Sequence, residues 1–239
     1  MPTRQVIDAT ETAQRFRSPA SRPLDRHGFA HRRRGKIPVV RIRTAARLLA
    51  IGTFAVVFAG FDTASSRSFA LHMTQHTLLM VVLAPLIVLG WAPQPAPSWM
   101  RGRSFAAGAV VAQIAALVLW HIPAVFDGAA AHVPLHAVEH LTLIAAAIAT
   151  WWVILASPVA PPTRFAVCAV VAASMLLLGI ALTFAPTPWY AVDAANLSDQ
   201  QLGGALMWGP GGLAYVVAAG WLIGRAIVDD ERLVLSRRG

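Results

Sequence analysis

The stretch His72-Met73-Thr74-Gln75-His76-Thr77-Leu78-Leu79-Met80 opens an apolar segment that extends from residue 71 to residue 91. We expect this segment to be helical, and residues four apart then lie on one face of the helix. His72, His76 and Met80 therefore form a column of two imidazoles and one thioether. Soft and borderline metals prefer these side chains as ligands.

The composition of the chain is typical of a protein embedded in a lipid bilayer. Hydrophobic residues make up 56% of the 239 residues and charged residues only 13%, and the mean hydropathy is +0.58, far from the averages of soluble domains. Six apolar segments approach the roughly 20 residues that a helix needs to cross a membrane, and they lack the alternating polarity of barrel strands. We predict an all-α, polytopic membrane helical bundle of about six transmembrane helices. The predicted segments are 46–64, which is the weakest, 71–91, 104–120, 135–156, 165–185 and 202–224.

The distribution of basic residues predicts how the chain is oriented. Twelve of the 20 Lys and Arg residues lie between Arg4 and Arg47, and the loops at 121–134 and 186–201 contain none. Cytoplasmic loops carry an excess of basic residues, so we expect both termini to be cytoplasmic. The same distribution explains the net charge of +9 without a nucleic-acid partner. The predicted regions are a basic, mostly disordered cytoplasmic tail (1–44), a transmembrane helical domain (45–225) and a short cytoplasmic C-terminal tail (226–239).

A second histidine pair, His136 and His140, opens another apolar segment with the same four-residue spacing. In the predicted topology both histidine pairs and His121 lie at the outer face of the membrane. His76 and His140 lie more than one turn inside their helices, where a polar side chain is costly unless it faces the bundle interior and has a partner. A metal or cofactor site and a structural hydrogen-bond network both remain open.

Four ordered motifs carry a family resemblance. They are His72-Met73-x-Gln75-His76 followed by Pro85-Leu86 and Gly90; Trp120-His121-x-Pro123; His136-x-x-Glu139-His140; and Asp199-Gln200-x-x-Gly203-Gly204-x-x-Met207-Trp208. Over roughly residues 45–225 the chain resembles the CtaG family of membrane-embedded cytochrome c oxidase assembly proteins. The resemblance implies a role in building the copper centre of a haem-copper oxidase.

The candidate site residues fall into two groups. The predicted metal ligands are His72, His76, His136 and His140, followed by Met73, Met80 and His121. Glu139 points about 100° away from His140 on a helix, so a ligand role and a supporting role are equally open. Asp199 is predicted to cap the last helix or to accept a hydrogen bond from an imidazole. The supporting candidates are Glu139, Asp199, Gln75, Gln200 and Met207.

The leading hypothesis is a non-enzymatic assembly factor in a bacterial plasma membrane that binds or delivers copper at the outer face. Its expected partners are cytochrome c oxidase subunits during assembly and the lipid bilayer. Imidazole and thioether ligands suit Cu(I), and binding should weaken on acidification through about pH 6.5 because neutral imidazole is the binding form. Two alternatives are a b-type haem membrane redox protein and a metal- or proton-coupled transporter.

Overall fold

The structure, a computed structural model, describes residues 36–60, 68–93, 95–191 and 196–238. Val40–Gly239 forms one compact unit, and the contacts described below lie within it. The disorder predicted for residues 1–35 falls outside the described residues.

Every regular element among the described residues is helical, which confirms the all-α prediction. Three of the helices continue directly into a π-helical turn, in which the backbone bonds five residues back instead of four. The elements in chain order are α1 (Lys36–Ala55) with a π turn (Val56–Gly60), α2 (Phe69–Leu78) with a π turn (Leu79–Leu83), α3 (Ala84–Trp91), a 3₁₀ turn (Ser98–Met100), α4 (Arg103–Trp120), α5 (Pro123–Ala131), α6 (Val133–Leu155), α7 (Pro161–Thr183), α8 (Leu197–Leu206) with a π turn (Met207–Gly211), and α9 (Gly212–Arg238).

Six stretches of the described chain are helical, long and apolar enough to cross a membrane, as predicted. The protein is therefore a multi-pass membrane protein. The short helix α5, nine residues long, lies between the third and fourth of these stretches and was not predicted. The six candidate spans are Val39–Ala59, Phe69–Trp91, Arg103–Trp120, Val133–Leu155, Pro161–Thr183 and Leu197–Ser236.

The helical structure extends beyond the boundaries that hydropathy predicted at both ends of the described chain. Helix α1 begins at Lys36, inside the region 1–44 that was predicted to be a mostly disordered tail. Helix α9 continues through Arg238, so most of the predicted tail 226–239 is helical. Arg, Glu and Lys are good helix formers, and a helix therefore does not have to end where its apolar residues end.

Two arginines of α1 attach this helix to the end of α3. Arg43 Nη2 donates to the carbonyl oxygen of Ala92 at 2.9 Å, and Arg47 Nε donates to that of Gly90 at 3.0 Å. The last carbonyls of a helix have no partner within the helix, so the arginines supply the missing donors. A Cβ at Gly90 would lie 2.9 Å from Arg47 Cγ, which explains why a glycine suits this contact.

The π turn Leu79–Leu83 connects the histidine-bearing helix α2 to α3. The backbone N–H of Ala84 donates to the first carbonyl of this turn, five residues back. The same bonding pattern would pair the Met80 carbonyl with the N–H of the residue five positions later, which is Pro85. Proline has no N–H. Trp151 Nε1 of α6 donates to the Met80 carbonyl at 2.8 Å instead, so α6 satisfies the group that the π turn leaves unpaired.

Glycines bring α7 and α8 into close contact. A Cβ at Gly204 would lie 2.7 Å from the carbonyl oxygen of Gly179 and 2.7 Å from Thr183 N, and a Cβ at Gly179 would lie 2.8 Å from the Gly204 carbonyl oxygen. Small residues allow helix backbones to approach each other inside a membrane. This contact fixes the position of α8. The first turn of α8 also contacts the start of α2.

Candidate metal centre

Two histidine pairs face each other across the interface between α2 and α6. The ring centroids within each pair, His72–His76 and His136–His140, are 4.3 Å apart. Between the helices, the centroids of His76 and His140 are 5.1 Å apart and those of His72 and His136 are 5.2 Å apart. We call these four residues the histidine cluster. The structure therefore brings together the two pairs that their spacing singled out.

Glu139 lies inside the histidine cluster. Its Oε1 is 3.5 Å from His76 Nε2 and 3.6 Å from His72 Nε2, and its side chain is fully buried. His136, Glu139 and His140 occupy positions i, i+3 and i+4 of α6, which form one face of a helix. The angle of about 100° between Glu139 and His140 on a helix left a ligand role and a supporting role of Glu139 equally open. The structure places its carboxylate among the imidazoles.

Several polar atoms of the cluster lack hydrogen-bond partners within the described part of the chain. They are His72 Nε2, His76 Nδ1 and Nε2, His140 Nε2 and both carboxylate oxygens of Glu139. The contacts between Glu139 and the imidazoles, at 3.5–3.6 Å, are longer than ordinary hydrogen bonds. A buried polar group without a partner costs about 1–3 kcal/mol. These atoms can therefore take a further partner, such as an ion or an ordered water.

The donor atoms are close enough together to hold a metal ion. In two sets of residues the candidate ligand atoms all lie within 4.8 Å of one another. Donors at about 2.0 Å from a tetrahedral ion lie roughly 3.3 Å apart, so small side-chain rotations would close either set. The two sets are His72, His76 and His140, and His72, His136 and Glu139.

His121 lies beside the histidine cluster, at the end of α4. Its ring centroid is 6.3 Å from that of His76. Nδ1 of His121 is 2.7 Å from the carbonyl oxygen of Leu117, and Nε2 is 3.3 Å from Met73 Sδ. Met73 and His121 therefore contact each other as well as neighbouring the cluster.

The sulfur of Met80 is engaged by a side chain of α4. Gln113 Nε2 donates to Met80 Sδ at 3.3 Å, and both side chains are buried. The structure therefore pairs Met80, a predicted ligand one turn beyond His76, with an amide donor.

Asp199 contacts the start of α2 and makes no hydrogen bond to an imidazole among the described residues. Its Oδ1 accepts from Ser68 Oγ at 2.8 Å, and its Oδ2 accepts from Ala70 N at 3.4 Å. The side chain of Asn196, not of Asp199, caps α8. The expected roles of Asp199 were therefore wrong, because sequence spacing does not reveal which other helix begins nearby. A carboxylate at the N-terminus of α2 complements the helix dipole.

The other supporting candidates bind the backbone of neighbouring segments or pack in the core. Gln75 Nε2 donates to the carbonyl oxygen of Val57 at 3.4 Å. Gln200 Oε1 accepts from Trp189 N at 2.6 Å. Met207 is buried in the π turn after α8. These residues position the segments around the cluster.

Three aromatic side chains pack together beside His72, at one side of the histidine cluster, and we call Phe69, Phe126 and Tyr190 the aromatic cap. The rings of Phe69 and Tyr190 stack with centroids 4.8 Å apart, and those of Phe126 and Tyr190 are 4.3 Å apart. Phe126 lies 5.0 Å from the His72 ring, and Tyr190 OH donates to the His121 carbonyl oxygen at 3.1 Å. Burial raises the pKa of the Tyr190 phenol, which keeps it a neutral donor. Sequence reasoning missed the cap because its members come from three separate segments without a shared motif.

Comparison with known proteins identifies the family. No curated protein and no solved structure matches the chain. A family model described as cytochrome c oxidase caa3 assembly factor (Caa3_CtaG) matches residues 27–228. This match covers most of the chain and includes the histidine cluster, Glu139 and the aromatic cap. The chain therefore belongs to the family of cytochrome c oxidase caa3 assembly factors.

Proposed function

We propose that this assembly factor binds copper in the histidine cluster and delivers it for the copper centre of cytochrome c oxidase. The proposal is carried by the facing pairs of imidazoles around the Glu139 carboxylate, in which ring nitrogens of His72, His76 and His140 lack hydrogen-bond partners among the described residues. Imidazole nitrogen binds copper well in either oxidation state, and the Irving–Williams order favours copper over the other divalent first-row ions.

The charge of the site supports monovalent copper. An ionised carboxylate buried without a partner is very costly, and Glu139 is fully buried. One Cu(I) ion held by neutral imidazoles next to one carboxylate makes the site neutral overall. A divalent ion at the same place leaves one positive charge in the core, so we expect Cu(I) to be the preferred form.

The proposed location of the site is the outer side of a bacterial plasma membrane. The cluster lies near the start of α2, the end of α4 and the start of α6. The sequence between α4 and α6 contains no Lys or Arg, which is typical of a loop on the side opposite the cytoplasm. A site at this side lies where an assembling oxidase subunit can receive the ion.

Delivery requires an opening, and the aromatic cap is the proposed place for it. Tyr190 OH donates to the carbonyl oxygen of His121, and the adjacent Ala191 N donates to Asp127 Oδ1 at 3.1 Å. These contacts connect the loop segment 190–191 to α5 and to the end of α4. We expect displacement of this loop to expose the cluster to a partner protein.

The proposal is tested in cells that lack the protein and make a copper-dependent cytochrome c oxidase. The cells are complemented with wild type, His76→Ala/His140→Ala or His132→Ala, and copper per oxidase is measured in isolated oxidase under limiting copper. His132 is the matched control because it is an exposed histidine between α5 and α6. We expect the double variant to leave the oxidase deficient in copper and His132→Ala to restore it. Full copper content with the double variant, at equal protein levels, would refute delivery by this cluster.

The haem alternative conflicts with the spacing of the imidazoles. A haem held by two histidines must fit between their rings, whereas the ring centroids of His76 and His140 are only 5.1 Å apart. An absorption spectrum of the purified protein checks this directly. We expect no Soret band.

A further inference from the structure

The pair formed by Met73 and His121 has an electronic arrangement that differs from that of the histidine cluster. Nδ1 of His121 is 2.7 Å from the Leu117 carbonyl oxygen, and this oxygen can only accept a hydrogen bond. Nδ1 must therefore carry the proton of the neutral ring. Nε2 then carries a lone pair, and it faces Met73 Sδ at 3.3 Å.

The Met73 thioether has no proton to offer to this lone pair. A methionine sulfur is only a weak acceptor, so two electron-pair donors face each other at 3.3 Å. Both side chains are buried, with Met73 fully enclosed and His121 4% exposed. An ion placed against both atoms satisfies both of them.

The distance fits chelation of a single soft ion. Bonds of about 2.0 Å to imidazole nitrogen and about 2.3 Å to sulfur place the two donors 3.3 Å apart at an angle of roughly 100°. Thioether is a soft ligand that selects Cu(I), whereas imidazole also suits Zn(II). A site made of one thioether and one imidazole therefore prefers Cu(I) to Zn(II). The histidine cluster, made of imidazoles and a carboxylate, distinguishes these two ions less.

The neighbouring methionine provides a contrast within the same chain. Met80 Sδ accepts a hydrogen bond from Gln113 Nε2 at 3.3 Å, so its sulfur faces a proton donor. Met73 Sδ faces a nitrogen lone pair at the same distance. The two nitrogen–sulfur distances are equal, so distance alone does not distinguish the two sulfurs. They differ in the atom that they face, because the contact with the Leu117 carbonyl determines the tautomer of His121.

We propose that Met73 and His121 form a second, Cu(I)-selective binding site next to the histidine cluster. Its nearest cluster ring is that of His76, 6.3 Å away between centroids, so an ion can pass between the two sites over a short distance. This inference rests on the proposed function for the identity of the ion, which is copper. It adds a separate binding site and a preference of that site for Cu(I) over Zn(II).

The test is anaerobic titration of the detergent-purified full chain with Cu(I), in competition with a coloured Cu(I) chelator, and a parallel titration with Zn(II). We expect wild type to bind two Cu(I) ions and one Zn(II) ion. Met73→Leu, which conserves side-chain volume, should bind one Cu(I) and still one Zn(II), and the retained zinc shows that the variant is folded. Met80→Leu is the matched control and should bind as wild type does.

X-ray absorption at the copper edge gives an independent result. We expect a sulfur neighbour of Cu(I) at about 2.3 Å in wild type, lost in Met73→Leu and retained in Met80→Leu. Two Cu(I) ions in Met73→Leu, or no sulfur neighbour in wild type, would overturn the inference.

The variant His76→Ala/His140→Ala separates this inference from the proposed function. If wild type binds a single Cu(I) ion, and this ion is lost in the double variant but kept in Met73→Leu, the second site is overturned and the cluster is supported. If that single ion is instead lost in Met73→Leu but kept in the double variant, the second site is supported and the cluster is refuted as a copper site.

Discussion

Replacing Trp151 with phenylalanine should destabilise the bundle by removing one hydrogen bond. Trp151 Nε1 is the donor to the Met80 carbonyl, which the π turn and Pro85 leave without a backbone partner. The Met80 side chain is 1% exposed, so water does not readily replace the indole. The carbonyl in Trp151→Phe is therefore buried and unpaired.

The expected size of this effect follows from the desolvation of one carbonyl. Leaving a buried acceptor unsatisfied costs about 1–3 kcal/mol. For a domain of this size 1 kcal/mol shifts the unfolding midpoint by about 2–4 °C. We therefore expect the midpoint of Trp151→Phe in detergent to fall by roughly 2–12 °C.

The adjacent tryptophan provides the matched control. Trp152 is buried to the same extent as Trp151, and its Nε1 has no hydrogen-bond partner in the described part of the chain. Trp152→Phe therefore removes a similar volume without breaking a hydrogen bond. We expect it to lower the midpoint by less than Trp151→Phe does.

A double-mutant cycle with Pro85→Ala tests the cause. The introduced alanine supplies an N–H that can donate to the Met80 carbonyl in the π register, so Trp151→Phe should cost less than half as much in this background. Equal costs of Trp151→Phe in the wild-type and Pro85→Ala backgrounds, or equal costs of the two tryptophan substitutions, would refute the reasoning.

Three further predictions concern the segments around the cluster and the binding of copper. Asp199→Asn removes the charge that bonds Ser68 at the start of α2 and should lower stability by about 0.5–2 kcal/mol, measured by thermal unfolding; an unchanged midpoint would show that this contact is not stabilising. Gly204→Ala places a methyl group 2.7 Å from the Gly179 carbonyl oxygen and should cost about 1–3 kcal/mol or more, whereas a Cβ at Gly220 meets no atom within 4 Å and Gly220→Ala should not destabilise. Copper affinity should fall on acidification because protons compete for the imidazoles, and affinity that acid leaves unchanged until the protein unfolds would argue against histidine ligands.

The sequence predicted the spans and the site-bearing faces because both depend on local periodicity. The apolar length of each segment indicated a membrane helix, and the spacing of His72 with His76 and of His136 with His140 placed each pair on one face. The high cost of a polar side chain in the membrane predicted that both faces point into the bundle. The structure brings the two faces together.

The features that sequence reasoning missed depend on contacts between distant segments. The partner of Asp199 lies at the start of another helix, and Phe69, Phe126 and Tyr190 meet only after three segments have packed. Periodicity carries no information about such contacts. Glu139 is different, because its i+3 spacing from His136 was visible in the sequence and already indicated the face that it shares with the cluster.

The copper content of the detergent-purified protein tests the central claim most directly. Wild type, His76→Ala/His140→Ala and His132→Ala are loaded with copper, freed of unbound metal and analysed for copper per chain in the same experiment. We predict that the double variant loses the copper of the histidine cluster, whereas the exposed His132 control binds as much copper as wild type does. Equal copper in wild type and the double variant, or no copper in wild type, would contradict a copper site in the histidine cluster.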